Sequence, residues 1–279
     1  MAALDFRVLI IYSEFVEQQT RELPFDACEF FAGYVPAYCL LGIHLDGICG
    51  LLSHRQPVDG EPELLEVAYI GVVAYAEAFF KDHFASLLNI YPEGISALRR
   101  KGRDVSVDLS DIIELDEPIR ARCGFLLTEK LDFGSPRSIN ALYGQFLAVT
   151  PFSKDEAKEF ESILARRNLL VHHGGVYTAR FLKTMPSTGE RKFADSLCMR
   201  RSMVCNAAAM ANEIAFKTVE ASRGRIMDEL RTEASPVQLE GLKMLSWDTD
   251  DGATRTSRLR LEGTRWLEIE QNPGADIPS

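Results

Sequence analysis

The chain has 279 residues, a formal net charge of −10, and 46% apolar and 26% charged side chains. That length allows one large domain or two small ones with an ample core, and the composition is that of a globular chain. An acidic chain repels a phosphate backbone on average, which excludes broad, non-specific nucleic-acid binding and leaves room only for a local, selected contact.

Apolar residues recur at helical spacing along most of the sequence, which predicts an all-α fold. A first helix is expected over 4–22, ending before Pro24. A second covers 36–54 and stops at the turn-rich Gln56-Pro57-Val58-Asp59-Gly60. Pro62 suits the first turn of a long helix reaching about Tyr91, apolar nearly all round as a central buried helix is. Its most apolar run, 67–80, contains Glu77 and is too short to cross a bilayer, so no membrane span is expected. Short helices follow near 93–101 and 116–131. Ser135-Pro136 opens another, to about Ala148. Ser153 with Glu156 three residues on forms a capping box for a helix over 154–173, which Gly174-Gly175 ends.

Residues 184–192 read as an exposed loop, 195–232 as a long helix, and Pro236 opens a short helix to about Trp247. A linker over 248–254 follows. Beyond it, Arg258-Leu-Arg-Leu and Trp266-Leu-Glu-Ile alternate with period two around Glu262-Gly263-Thr264, which predicts a β-hairpin. Residues 272–279 read as a flexible tail. The domain reading is an N-terminal helical extension (1–55), a main helical domain (62–247), and a linker, hairpin and tail (249–279).

Cysteines stand at 28, 39, 49, 123, 198 and 205, without C-x-x-C or zinc spacing. With no secretory leader at the start, reduced thiols in a cytoplasmic protein are expected. The basic runs at 99–103 and 200–201 read as solvated helix faces. No P-loop, Rossmann glycine signature, nucleophile motif or clustered metal-binding carboxylates occur, so no cofactor and no metal are expected. His44, His54 and His83 have no ligand spacing.

The informative stretch is Arg166-Arg167-Asn168-Leu169-Leu170-Val171-His172-His173-Gly174-Gly175. It resembles the signature of the HEPN superfamily of helical proteins, an Arg followed by a polar residue and then a His four to six positions on. Arg167, Asn168 and His172 match it. Glu77 is similar to an acidic position in an earlier helix of that family, and 131–155 resembles the lead-in to the motif helix in some branches. The resemblance covers roughly residues 62–230 and implies an HEPN-type helical bundle. It also implies a homodimeric, metal-independent endoribonuclease acting in prokaryotic defence or stress response as an antiviral factor or toxin, with Arg167, Asn168 and His172 catalytic. The side chains suit that chemistry. A neutral imidazole takes the ribose 2′-hydroxyl proton, a guanidinium holds the phosphate, and the products are a 2′,3′-cyclic phosphate and a 5′-hydroxyl. The alternatives are an inactive scaffold binding RNA or a partner protein encoded nearby, and a nucleotide-binding regulator.

Helical geometry complicates the match. With Arg167 at zero, Phe160, Ile163, Leu164, Leu170 and Val171 fall within about 60°, and His172 lies about 140° away. Either Arg167's length, a distorted last turn or a partner subunit closes the gap, or Arg167 is structural and Arg166 meets RNA. Asn168 and His172 share one flank, Arg166 and His173 another. Leu169 and Ala165 form a second apolar strip, expected to bury a dimer contact. Glu77 and Arg167, each among apolar neighbours, are expected to form a buried ion pair; the alternative is an exposed Glu77–Lys81 pair.

Overall fold

The computed structural model describes residues 26–52, 61–107, 119–185, 193–230 and 234–271. The helix expected over 4–22, the turn at 56–60, most of the 184–192 loop, His54 and the tail at 272–279 lie outside them. Among the described residues the fold is all-α. Ten α-helices run in the order α1 (Ala37–Leu52), α2 (Glu61–Ile90), α3 (Ile95–Arg100), α4 (Ile119–Glu129), α5 (Pro136–Leu147), α6 (Lys154–His173), α7 (Ala179–Thr184), α8 (Arg201–Leu230), α9 (Pro236–Leu245) and α10 (Gly252–Gln271). Among them no helix is long and apolar enough to cross a membrane.

The long helix α2 is the axis of the core. Glu61 and Glu63 in its first turn face the positive end of the helix dipole. From Phe79 onward nearly every side chain is buried, because α1, α4, α6 and α8 all pack on it. An aromatic layer ties α2 to α5 and α6. The Phe84 and Tyr143 rings lie 5.0 Å apart, Phe80 and Phe152 5.2 Å, and Phe152 and Phe160 5.2 Å, in edge-on or tilted arrangements that suit ring quadrupoles. This layer fixes the N-terminal half of α6 against the core, so the residues at its C-terminal end are held on a rigid support.

Two expectations are corrected here. The predicted hairpin is a helix: α10 runs unbroken through Arg258, Gly263 and Trp266. Period-two alternation was present, but so was a one-sided helical stripe. Gly252, Arg255, Leu259, Gly263 and Trp266, spaced three or four apart, are the residues α10 buries, while Leu261 points to solvent. Gly263 allows a close crossing, since a Cβ there would stand 2.2 Å from Asn206 Oδ1 of α8. Among the described residues α8–α10 is the most extensive helix contact, so residues 252–271 belong to the helical body and are no appendage.

The second correction concerns 195–200, which are extended and precede α8. Tyr177 N donates to Asp195 O at 2.8 Å and Leu197 N to Gly175 O at 2.8 Å, around an isolated antiparallel bridge between Val176 and Ser196. The chain entering α8 is thereby tied back to the end of α6. A short helix that periodicity did not reveal, α7, fills the interval, with the Thr178 hydroxyl accepting from Phe181 N at 3.2 Å as its N-cap.

Candidate functional site

Helix α6 begins as its sequence dictates. The Ser153 hydroxyl accepts from Glu156 N at 3.3 Å, and Ser153 N donates to Glu156 Oε2 at 2.9 Å. It ends where Gly174 turns left-handed at φ 55°, and Gly175 N donates back to Leu169 O at 3.2 Å. Phe160, Ile163, Leu164 and Leu170 are buried, as the apolar face requires.

Successive helical residues diverge by about 100°, and the three consecutive polar side chains of α6 accordingly go to three places. Arg167 turns to α2 and forms an ion pair with Glu77. The pair is partly buried, with side-chain exposures of 22% for Arg167 and 29% for Glu77. Burial pushes the Glu77 carboxyl above its usual range, and the Arg167 charge pulls it part of the way back. Arg167 Nε is buried and without a hydrogen-bond acceptor.

Arg166 turns to the opposite side. It lines a cleft of about 600 Å³ between α6, the 195–200 segment and the start of α8, where Tyr69, Glu159 and Arg200 also border the space. The Tyr69 hydroxyl donates to Ile163 O at 3.4 Å, and the adjacent Arg166 guanidinium opposes the upward push that burial gives its pKa.

Asn168 and His172 share a flank, as their four-residue spacing demands, and line a second cleft of about 410 Å³ between α6 and α7. His173 and Arg180 line the same cleft. Asn168, His172, His173 and Arg180 are all exposed to solvent. His173 also borders the cleft of His172, at the last residue of α6. One of the geometric expectations fails. Leu169 presents no outward strip. It is 2% exposed and belongs to the chain's own core, beside α7 and Phe181.

Arg180 is the side chain that sequence reading missed. Its signal was the N-cap Thr178 followed by Phe181 three residues on, a short helix hidden after the Gly-Gly stop. The cleft therefore collects two imidazoles, a guanidinium and a carboxamide, groups that together can accept or donate a proton and hold an oxyanion. Elsewhere, His44 stacks on Tyr75 with ring centroids 3.9 Å apart, and His83 is sealed in the core between Phe79 and Tyr143. Among the described residues no group of three or more His, Cys, Asp and Glu side chains is placed to hold a metal ion. None of the six cysteines, all of them among the described residues, forms a disulfide.

Comparisons with protein-family models, with curated proteins and with solved structures find no match for this chain.

Proposed function

We propose that this protein is a metal-independent endoribonuclease whose reacting site is the α6–α7 cleft. The observation that carries the reading is the joint presence of His172, His173, Asn168 and Arg180 around one open cleft. In the proposed reaction one imidazole, neutral, accepts the proton of a ribose 2′-hydroxyl as that oxygen attacks the adjacent phosphorus. The bond to the 5′-oxygen breaks, and the other imidazole, protonated, returns a proton to that leaving group. The products are a 2′,3′-cyclic phosphate and a 5′-hydroxyl, with no water consumed. We assign His172 to one of these two roles and His173 to the other. Arg180 holds the phosphate through paired N–H donors and stabilises its added charge, and the Asn168 amide orients it. Arg167 sits outside this cleft in the single chain, and its part is to fix α6 on α2 through Glu77. The homodimer, the selected RNA substrate and the setting in prokaryotic defence, all implied by the HEPN resemblance, belong to the same proposal. In a test, the purified chain cuts a susceptible RNA in EDTA. Activity that vanishes in EDTA and returns with magnesium rejects it.

One observation favours a second reading, an inactive helical scaffold binding a protein or RNA. The motif's own arginine, Arg167, is engaged with Glu77 and does not border the cleft with His172. Under that reading no RNA is cut, and His172→Ala changes nothing but binding.

A further inference from the structure

The cleft on the other flank of α6 is a second polar site, and it belongs to none of the machinery above. One side of it is a helical stripe, Glu159, Ser162, Ile163 and Arg166, spaced three or four apart on α6. Tyr69 of α2 and Arg200, next to the start of α8, also line it. In an acidic protein of net charge −10, cations usually find internal carboxylates. Here, among the described residues, neither the Arg166 nor the Arg200 guanidinium has an ion-pair partner, although both border the same cleft. Two guanidiniums that border one concavity offer donors suited to a phosphate.

The rest of the cleft narrows the choice of ligand. Glu159 lies two turns before Arg166, about 10 Å along the helix. A carboxylate there repels a second phosphate and accepts hydrogen bonds from hydroxyl or amino groups. In the same lining Ile163, Met203 and Leu267 offer apolar surface for a flat ring. A volume of about 600 Å³ is in the range of small-ligand pockets. We infer that this cleft binds a nucleoside monophosphate unit, with its phosphate on Arg166 and Arg200, its ring against Met203 and Leu267, and its sugar hydroxyls or base amino group toward Glu159. The unit is either a free nucleotide or the terminal nucleotide of an RNA. The inference does not rest on the ribonuclease reading, because His172 and Arg180 border the other cleft.

The test is titration calorimetry on the full chain with AMP, GMP, CMP and UMP, inorganic phosphate, adenosine, and a short oligoribonucleotide bearing a 5′-phosphate. At least one nucleotide unit is expected to bind at one site per chain, more tightly than phosphate or nucleoside alone. Arg166→Gln and Arg200→Gln are each expected to weaken it about tenfold or more. Arg200 is exposed, so its variant keeps the fold, and a thermal melt on both variants confirms that loss of binding is not loss of structure. Lys101→Gln, at an exposed residue that borders neither cleft, is expected to bind as the unsubstituted chain does. Binding of the oligonucleotide alone assigns the site to an RNA end, and binding of the mononucleotide alone assigns it to a free effector; either supports the inference. It is overturned if neither binds at millimolar concentration, or if Arg200→Gln and Arg166→Gln, both folded, bind undiminished.

Discussion

At the scale of single residues, the Glu77–Arg167 ion pair joins α2 to α6. Two charges among apolar neighbours on two helices had to find each other, and they do. Their degree of burial depends on how α2 and α6 cross, which no local pattern encodes. With both side chains between a fifth and a third exposed, Glu77→Ala is expected to cost about 1–3 kcal/mol, below the value for a fully buried pair, measured by chemical denaturation. A pH dependence follows from the raised Glu77 carboxyl. The folded state binds its proton more tightly than the unfolded chain does, so this group's stabilisation is complete below the ordinary 4.5 and is lost as pH rises through the folded value. Relative to Glu77→Gln, the unsubstituted protein should gain stability as pH falls from 7 toward 4.5. His83 acts oppositely. Burial holds its imidazole neutral, down to about 3, and its Nε2 has no hydrogen-bond partner. Its stabilisation is full above 6.5 and is lost as pH falls from 6.5 toward 3, by about 1.4 kcal/mol per pH unit at most. Denaturation midpoints of His83→Met between pH 7 and 4 should lose less stability than those of the unsubstituted chain.

At the scale of helices, the elements that the sequence announced are those with chemical punctuation. Ser135-Pro136, Ser153 with Glu156, and Gly174-Gly175 mark ends by capping, and the structure places ends there. The misread element, α10, carried two periods at once, and only the partner helix α8 decides between them. Arg255 is the residue that commits it. The guanidinium is buried, donates to Asp248 at 2.5 Å and to Asp46 at 3.4 Å, and so pins α10 to α1 and to the turn before it. Arg255→Ala is expected to destabilise by about 3 kcal/mol, since it strands the Asp248 carboxylate. Deleting 249–279 is expected to lower the cooperativity and helical content of the remaining chain, as judged by circular dichroism. A truncated protein that melts like the full one contradicts the packing of α10 on α8. The Leu169 correction has the same cause. An apolar strip opposite the main face of α6 was legible, and so was the need to cover it, but α7 of the same chain covers it. Leu169→Asp is therefore expected to unfold the α6–α7 junction and lower the melting temperature, not to release a folded monomer.

At the scale of the whole molecule, three consecutive polar residues of one helix serve three surroundings. Arg166 faces the larger cleft, Arg167 the core helix, and Asn168 the cleft that holds His172. Helical rotation made this divergence readable from the sequence. The arrival of Arg180 and Arg200 was not readable, because both stand on segments whose positions follow from the Gly174-Gly175 turn and the 175–197 backbone pairing. The surplus of negative charge makes each local cation count, and because only a few phosphates would be neutralised, RNA binding should weaken only modestly with added salt. The central claim is that the α6–α7 cleft is the reacting site. Its most direct measurement maps new 5′-hydroxyl ends in RNA treated in EDTA with the unsubstituted chain, His172→Ala, Arg180→Ala and Lys101→Gln, the last at an exposed residue that borders neither cleft. The account predicts cleavage by the unsubstituted chain and by Lys101→Gln at the same positions. His172→Ala should fall by about 100-fold or more, and Arg180→Ala comparably. No new 5′-hydroxyl ends with the unsubstituted chain, or His172→Ala cutting at the unsubstituted rate, would contradict it.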